Sequence, residues 1–199
     1  MNIKFLLQFC RYTLATLFLL IAACEDFQTK SYSMTDRDSK ACMQLKDSVF
    51  QVISTASLSS YNPDWQNEQI SQIAGEVIEA LANDSIIVSE NDQAYVLITG
   101  NDMDTTYVLL ESQSASLTLY FDQALTQNLI AEDGVFLPAS DSVIPLETIG
   151  SCTKVVKDVY IPVIKRRTAY ALSGDRYLIQ IIKTDQTEEM NIRLSVIAN

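Results

Sequence analysis

The sequence predicts an α+β fold in which an N-terminal helical pair precedes a mainly antiparallel β-sandwich. Apolar residues recur at helical spacing in two segments before residue 82, and the spacing changes to every second residue after residue 86. The strand-like segments that follow are short and are separated by turn residues, which is typical of a sandwich. With 199 residues, 48% of them hydrophobic and 20% charged, the chain is long and apolar enough to build one globular core.

The helical pair is predicted between residues 40 and 82. The first helix runs from residue 40 to about residue 56, and the second carries a stronger apolar stripe over residues 70 to 81. We interpret Asn62 and Pro63 as the cap and first-turn proline of the second helix, and Asn83 as its stop. The apolar positions that predict the first helix are Cys42, Leu45, Val49, Val52, Ile53 and Ala56.

The β-sandwich is predicted over about residues 86 to 197. Residues 100 to 104 have the composition of a hairpin turn between the first two strands, and residues 173 to 175 that of a tight turn between two later strands. Pro162 belongs at a sheet edge or a bulge, and residues 122 to 152 are less regular. The predicted strands cover residues 94–99, 105–111, 117–121, 155–164, 168–172, 176–183 and 191–197.

The first 23 residues have the pattern of a secretory signal. Lys4 and Arg11 give residues 1 to 12 a positive charge, and residues 13 to 23 are apolar but too few for a membrane-spanning helix, which needs about twenty. The segment Ile21-Ala22-Ala23-Cys24 resembles the bacterial lipobox, a branched apolar residue and two small residues before a cysteine. The resemblance implies cleavage before Cys24, attachment of lipid to its thiol and acylation, such as by palmitate, of the new N-terminus.

Three parts of the chain follow from this pattern. Residues 1–23 are predicted to be a cleaved lipoprotein signal peptide, residues 24–39 a lipidated flexible tether, and residues 40–199 a single globular domain. The implied location is the bacterial cell envelope, anchored by lipid on Cys24 in the outer membrane in preference to the inner one, with the membrane face left open. The two acidic residues directly after the cysteine are either a sorting signal or a solvated spacer.

The charge and composition of the chain exclude several classes of function. Residues 1–23 carry two basic residues and no acid, so the remaining chain has 12 basic and 25 acidic residues and a net charge of −13. Such a surface repels phosphate backbones, and we expect no nucleic-acid partner. The chain has no histidine, and it therefore lacks the commonest general base and the commonest metal ligand.

Four cysteines occur in the sequence, and two of them remain after processing and lipidation. Cys10 leaves with the signal peptide and Cys24 is the lipid site, so Cys42 and Cys152 are left. An even pair in an exported domain favours a disulfide, and two separate buried thiols are the alternative. Two cysteines without histidine or a CxxC motif fall short of the ligands that zinc requires, so we expect no metal site.

A second resemblance covers the C-terminal half. It rests on three segments: a strand that ends in Asp at residues 117–122, the segment LSGDRYLIQI at residues 172–181 and a final alternating strand at residues 192–197. In these motifs residues 95 to 197 resemble the prepeptidase-C-terminal-type β-sandwiches of bacteria. Two residues separate Gly174 from Tyr177, where the family pattern has one. The resemblance implies a β-sandwich with an accessory, non-catalytic role.

No residue pattern commits the chain to catalysis. Ser151 and Lys154 have the Ser-x-x-Lys spacing of penicillin-binding enzymes, but Asp185 stands where the accompanying Lys-Thr-Gly motif needs its glycine. Residues 101 to 104 place three oxygen-bearing side chains in one turn, yet no further calcium ligands follow at a recognisable spacing. We therefore expect no catalytic, cofactor-binding or metal-binding residue and no cofactor.

The sequence thus predicts a non-catalytic binding or assembly module at a bacterial membrane surface. It is attached to the membrane through lipid on Cys24 and has a protein or glycan partner. One alternative is a histidine-free hydrolase that uses a carboxylate pair on envelope or imported glycans, and another is a structural subunit of an envelope complex. An enzyme is expected to have a cleft with facing carboxylates, a binding module an exposed apolar patch or open sheet edge, and a structural subunit a larger hydrophobic interface.

Overall fold

The computed structural model describes residues 34–47, 49–100, 104–140, 152–157, 159–184 and 191–199. The signal, the lipobox and most of the tether predicted above lie outside the described residues. Within the described residues no helix is both long enough and apolar enough to cross a membrane. The helices are α1 (Asp36–Lys46), α2 (Leu58–Tyr61) and α3 (Ile70–Asn83), with a 3-10 helix at Pro63–Asn67 between the last two.

The strands form two larger sheets and a separate hairpin. They are β1 (Phe50–Ser54), β2 (Ile87–Ser89), β3 (Ala94–Ile98), β4 (Thr105–Glu111), β5 (Ser116–Phe121), β6 (Leu125–Ala131), β7 (Thr153–Val156), β8 (Val159–Pro162), β9 (Arg166–Ala171), β10 (Arg176–Lys183) and β11 (Asn191–Ala198). The five-stranded sheet has the order β1-β3-β11-β5-β9, the four-stranded sheet has the order β2-β4-β10-β6, and β7 pairs with β8. The β1–β3 and β2–β4 pairs are parallel, and the other described pairs are antiparallel.

The main core lies between the two larger sheets. Alternate residues of each strand point into it, such as Leu119 of β5 and Leu194 of β11 from one sheet and Ile179 of β10 from the other, all fully buried. This period of two is the pattern that predicted the strands. The fold therefore has mixed helix and strand content with two packed sheets, as the sequence predicted.

The helices cover the two outer faces of the sandwich and do not form a pair with each other. Ala41 and Leu45 of α1 pack on Tyr120 and Ile197 of the five-stranded sheet. On the opposite side α3, together with the 3-10 helix, packs on the outer face of the four-stranded sheet, where Leu178 is fully buried. Both helical stripes are buried in the domain, as the sequence predicted, but β1 lies between the two helices along the chain and each helix packs on a different sheet.

The first helix also differs from its predicted bounds. It begins at Asp36 and ends at Lys46, and Asp47 closes it in an extended conformation. The apolar residues at 49, 52, 53 and 56 belong to β1 and the segments that flank it. The β-branched side chains of Val49, Val52 and Ile53 fit an extended conformation, and the partner that stabilises β1 is β3, which is distant in sequence. The second helix matches its prediction more closely, although Asn62 and Pro63 cap the 3-10 helix and not α3 itself.

Several strand connections differ from the prediction. The chain between β3 and β4, where a hairpin turn was predicted, does not join a hairpin, because β3 and β4 belong to different sheets. The bend at residues 173 to 175 likewise carries the chain from β9 in one sheet to β10 in the other. Residues 155 to 164 form most of a hairpin where one strand was expected, and Pro162 ends its second strand. The irregular middle contains β6, an edge strand that the sequence analysis missed.

Candidate functional site

Cys42 and Cys152, the two cysteines left for pairing, lie together in the structure. A disulfide joins them, with Cα atoms 5.8 Å apart, inside the range that a disulfide spans. Both residues are buried, and the bond ties Cys42, in the middle of α1, to Cys152, directly before the β7–β8 hairpin. The predicted lipid site Cys24 lies outside the described residues.

A buried carboxylate, Asp38, fixes the first turn of α1 to the five-stranded sheet. It accepts hydrogen bonds from the backbone of Thr35, at 3.0 Å, and from the hydroxyl of Tyr120, at 2.9 Å, and Arg167 lies 3.5 Å away. Burial raises the pKa of Asp38, but these hydrogen bonds and the charge of Arg167 outweigh it and hold the pKa below its ordinary value. A carboxyl group with a lowered pKa stays an anion, so Asp38 suits a structural role and not that of a general acid.

The Thr35–Asp38 pair is a capping box, in which each side chain accepts from the backbone N–H of the other residue. The sequence carries a signal for this capping box, because a threonine is followed three residues later by an acidic residue. Burial and the hydrogen bond to Asp38 raise the pKa of Tyr120, so its hydroxyl remains a donor at neutral pH. The capping box and Tyr120 thus fix the point at which the predicted tether enters the domain.

Two open grooves lie on either side of the turn between β2 and β3, and Glu90 lines both. The first, of about 500 Å³, has Arg37 and Lys40 of α1 on one wall and an apolar floor from the end of β11. The second, of about 490 Å³, is lined by side chains with hydroxyl, carboxylate, amide and guanidinium groups. Its lining residues are Ser89, Glu90, Glu111, Ser112, Gln113, Ser114, Asp175 and Arg176.

The second groove can contact a polar ligand through several groups. The hydroxyl of Ser112 donates to Glu90, and Arg176 reaches over to Glu79 of α3 at 2.7 Å. Three carboxylates face this groove, but among the described residues no group of three cysteine, aspartate or glutamate side chains could hold a metal ion. Of the residues that the sequence analysis considered as calcium ligands, Asn101 and Asp102 lie outside the described residues.

The edges of the two sheets differ in how they are protected. At one side of the sandwich residues 135 to 140 run along both edge strands: Leu137 donates to the carbonyl of Leu129 in β6, and Ser140 to the carbonyl of Ala169 in β9. The strand β2, at the other side of the four-stranded sheet, has only three residues. Covering an edge or shortening it prevents pairing with another chain.

The fourth edge strand, β1, has neither protection. In the described part of the chain it pairs only with β3, and it presents its other side as the end of the five-stranded sheet. Its sequence Phe-Gln-Val-Ile-Ser has no charged residue and no proline, the two residue classes that usually block an edge. Val52 is 63% exposed, and two apolar residues beside the strand are also exposed: Val49, which precedes it, and Ile98, which lies opposite Ser54.

Arg193 of β11 holds this strand flat against the sheet. Its guanidinium group lies 4.4 Å from the centre of the Phe50 ring and donates to the carbonyl of Leu45 at 2.7 Å. The start of β1 is thereby joined to the end of α1. The strand is therefore held at the edge of the sheet by a side-chain contact as well as by its pairing with β3.

The sequence carries a signal for this surface. Residues 48 to 63 form a run of sixteen without a charged side chain, between Asp47 and Asp64, in a chain of which one fifth is charged. The helical spacing of the apolar residues within the run instead predicts a helix that packs in the core. Its exposure depends on the position of β1 at the end of a sheet, which the sequence alone does not reveal.

No protein-family model matches this chain, and no curated protein is significantly similar to it in sequence. The resemblances to the lipobox and to the prepeptidase-C-terminal-type sandwich therefore stay predictions.

Proposed function

We propose that this chain is a lipid-anchored protein of the bacterial cell envelope that acts as a non-catalytic binding or assembly module at a membrane surface. The lipobox pattern at Ile21-Ala22-Ala23-Cys24 supports the anchor, with the outer membrane as the preferred location. The disulfide between Cys42 and Cys152 suits an exported protein, because disulfides persist in oxidising compartments.

The observation that carries the binding role is the unprotected edge strand β1. An edge strand offers a row of backbone donors and acceptors to another strand, and Val52 adds an exposed apolar contact beside them. A partner that approaches a membrane-anchored module meets it at a high local concentration, so a contact of modest size suffices.

The anchor is tested by a cell-fractionation experiment with two matched cysteine variants. Cys24→Ser removes the lipid site, whereas Cys10→Ser changes a cysteine inside the predicted signal peptide and leaves the lipobox intact. We expect wild-type protein and Cys10→Ser in the membrane fraction, resistant to extraction by high salt, and Cys24→Ser released from it. Retention of Cys24→Ser in the membrane fraction to the same degree as wild type would contradict the proposed anchor.

A glycan-directed hydrolase is the second candidate, and the groove beside the β2–β3 turn favours it. Glu90, Glu111 and Asp175 line one groove of about 490 Å³ together with three serine hydroxyls. Glycosidases require two carboxyl groups across such a groove. If this candidate is right, Glu90→Gln or Glu111→Gln abolishes the release of reducing ends from envelope glycans, and Glu132→Gln, a change outside the groove, leaves it intact. Equal absence of activity in all three proteins and in wild type rejects the candidate.

A further inference from the structure

We propose that two copies of this chain on one membrane pair through their β1 strands, antiparallel and centred on Val52, to join their five-stranded sheets into one. The proposal deepens the proposed function, since it names a second copy as the partner of the exposed edge, and it rests on that function because both copies are held on the same surface. It is carried by the backbone geometry of β1, by its lack of charge and by the position of the tether.

The backbone of β1 directs alternate residues to alternate sides. Thr55, which continues the strand, donates its N–H to the carbonyl of Ile98 in β3 at 3.0 Å, so residues 51, 53 and 55 face β3. Residues 50, 52 and 54 therefore direct their N–H and C=O groups to the open side. These three positions are symmetric about Val52, which is what a two-fold pairing of identical strands requires.

Antiparallel pairing about Val52 satisfies every one of these groups. Val52 lies opposite Val52 of the second copy, and Phe50 lies opposite Ser54 of the second copy, so each pair exchanges two backbone hydrogen bonds. The side chain of Val52, 63% exposed in the single chain, then packs against its counterpart on the outer face. A shift of the register by one residue would place groups that already bond to β3 on the open side, so the parity of the strand excludes such registers. Among the registers that parity allows, the one centred on Val52 pairs all three open positions of both copies.

The charge of the chain favours this contact over others between copies. The mature sequence has a net charge of −13, so most surfaces of two copies repel each other. The run from residue 48 to residue 63 has no charged side chain, and β1 lies inside it. Two copies therefore meet with the least repulsion at this edge.

The position of the tether agrees with two copies on one membrane. Antiparallel pairing within a continuous sheet places the two-fold axis perpendicular to that sheet, so the outer faces of both copies lie on the same side. The helix α1 covers that outer face, and the chain enters it at Thr35, eleven residues after the predicted lipid site Cys24. Both tethers thus leave from the same side of the joined sheet and can reach one membrane.

The contact is too small to be stable between free copies in solution. Five residues from each copy form it, whereas a stable interface takes about 20–30 residues from each partner. Anchoring confines the copies to a surface and raises their effective concentration, which converts a weak contact into a populated one. We therefore expect pairing on membranes and little pairing after the lipid is removed.

The test is site-specific cross-linking of the full chain in native membranes with a thiol reagent that spans about 5 Å, the distance between hydrogen-bonded opposite residues. Val52→Cys places two thiols across the two-fold axis. Ser54→Cys is the matched control on the same strand and face, because a rise of about 3.3 Å per residue puts the two Ser54 positions about 14 Å apart. We expect the yield of cross-linked dimer from Val52→Cys to exceed that from Ser54→Cys by at least about fivefold. The double variant Val52→Lys/Ser54→Cys should give no cross-linked dimer.

Each outcome separates the two proposals. No dimer from Val52→Cys in the membrane fraction overturns the β1 pairing and leaves the anchor intact. Equal dimer from Val52→Cys and Ser54→Cys also overturns it, because random collision does not distinguish the two positions. Dimer from Val52→Cys in the soluble fraction, with none in the membrane, overturns the anchor and, with it, the proposal that anchoring populates the pairing.

Discussion

Removal of the disulfide between Cys42 and Cys152 should lower the stability of the domain by a large fraction. The bond closes a loop with a sequence separation of 110 residues, and the loss of chain entropy in the unfolded state for that length is worth about 5 kcal/mol at 25 °C. Domains of this size are stable by about 5–15 kcal/mol, so the double variant Cys42→Ala/Cys152→Ala should lose a third or more of its free energy of unfolding.

The assay is equilibrium urea unfolding of the processed protein with and without reductant. We expect reductant to lower the midpoint of wild-type protein to near that of the double alanine variant, and to leave the variant unchanged. A shift of about 2–4 °C per kcal/mol predicts a loss of about 10–20 °C in thermal midpoint. The reasoning is refuted if oxidised wild type, reduced wild type and the double variant unfold at the same urea concentration, or if two thiols titrate in protein isolated from the envelope.

Three further changes test the packing of the domain. Gly134→Ala should destabilise the domain by more than about 2 kcal/mol, because the glycine has a φ of 84° and a Cβ would lie 1.8 Å from the carbonyl oxygen of Ser71. The control is Gly174→Ala, whose Cβ would meet only the side chain of Tyr177, at 3.4 Å. In thermal unfolding the midpoint of this control should stay close to that of wild type. Tyr120→Phe should cost about 1–3 kcal/mol in urea unfolding at pH 7, since it removes a hydrogen bond to a buried carboxylate; an unchanged midpoint would contradict the role of that bond. Asp38 has a lowered pKa in the folded state, so its contribution to stability is present above its unfolded pKa of about 4 and is lost as the pH falls through the folded value. Asp38→Asn should therefore lower stability at pH 7 and weaken the loss of stability between pH 5 and pH 3, and an identical pH profile in both proteins would contradict this assignment.

The sequence predicted those parts of the fold that local spacing determines. The alternating strands β3, β4, β5, β9, β10 and β11 and the stripe of α3 all lie within a few residues of their predicted bounds. In each of these elements one set of positions is buried against a large apolar surface, and burial imposes a period that can be read along the chain.

The missed parts depend on partners distant in sequence. β1 has an apolar pattern compatible with a helix, and only its parallel pairing with β3 makes it a strand. The turns after β3 and after β9 have hairpin composition, yet each joins one sheet to the other, because a turn sequence specifies a local bend and not the destination of the next strand. The helical stripes likewise predicted two buried faces without indicating which surface each face covers.

The candidate site was predictable in part. The two cysteines that remain for pairing were identified from their count and from the predicted export of the chain, and the structure joins them. The open edge of β1 and the groove at the β2–β3 turn arise from strand order, to which residues far apart contribute. Val52 illustrates the difference, because the same valine would be buried in a central strand and is 63% exposed at the end of the sheet.

The anchor on Cys24 is the central claim, and the intact mass of protein extracted from membranes tests it most directly. We predict a chain that begins at Cys24, lacks residues 1–23 and carries the added mass of lipid on its first residue. A chain that retains residues 1–23, or one that begins near residue 24 with an unmodified thiol at Cys24, would contradict the account.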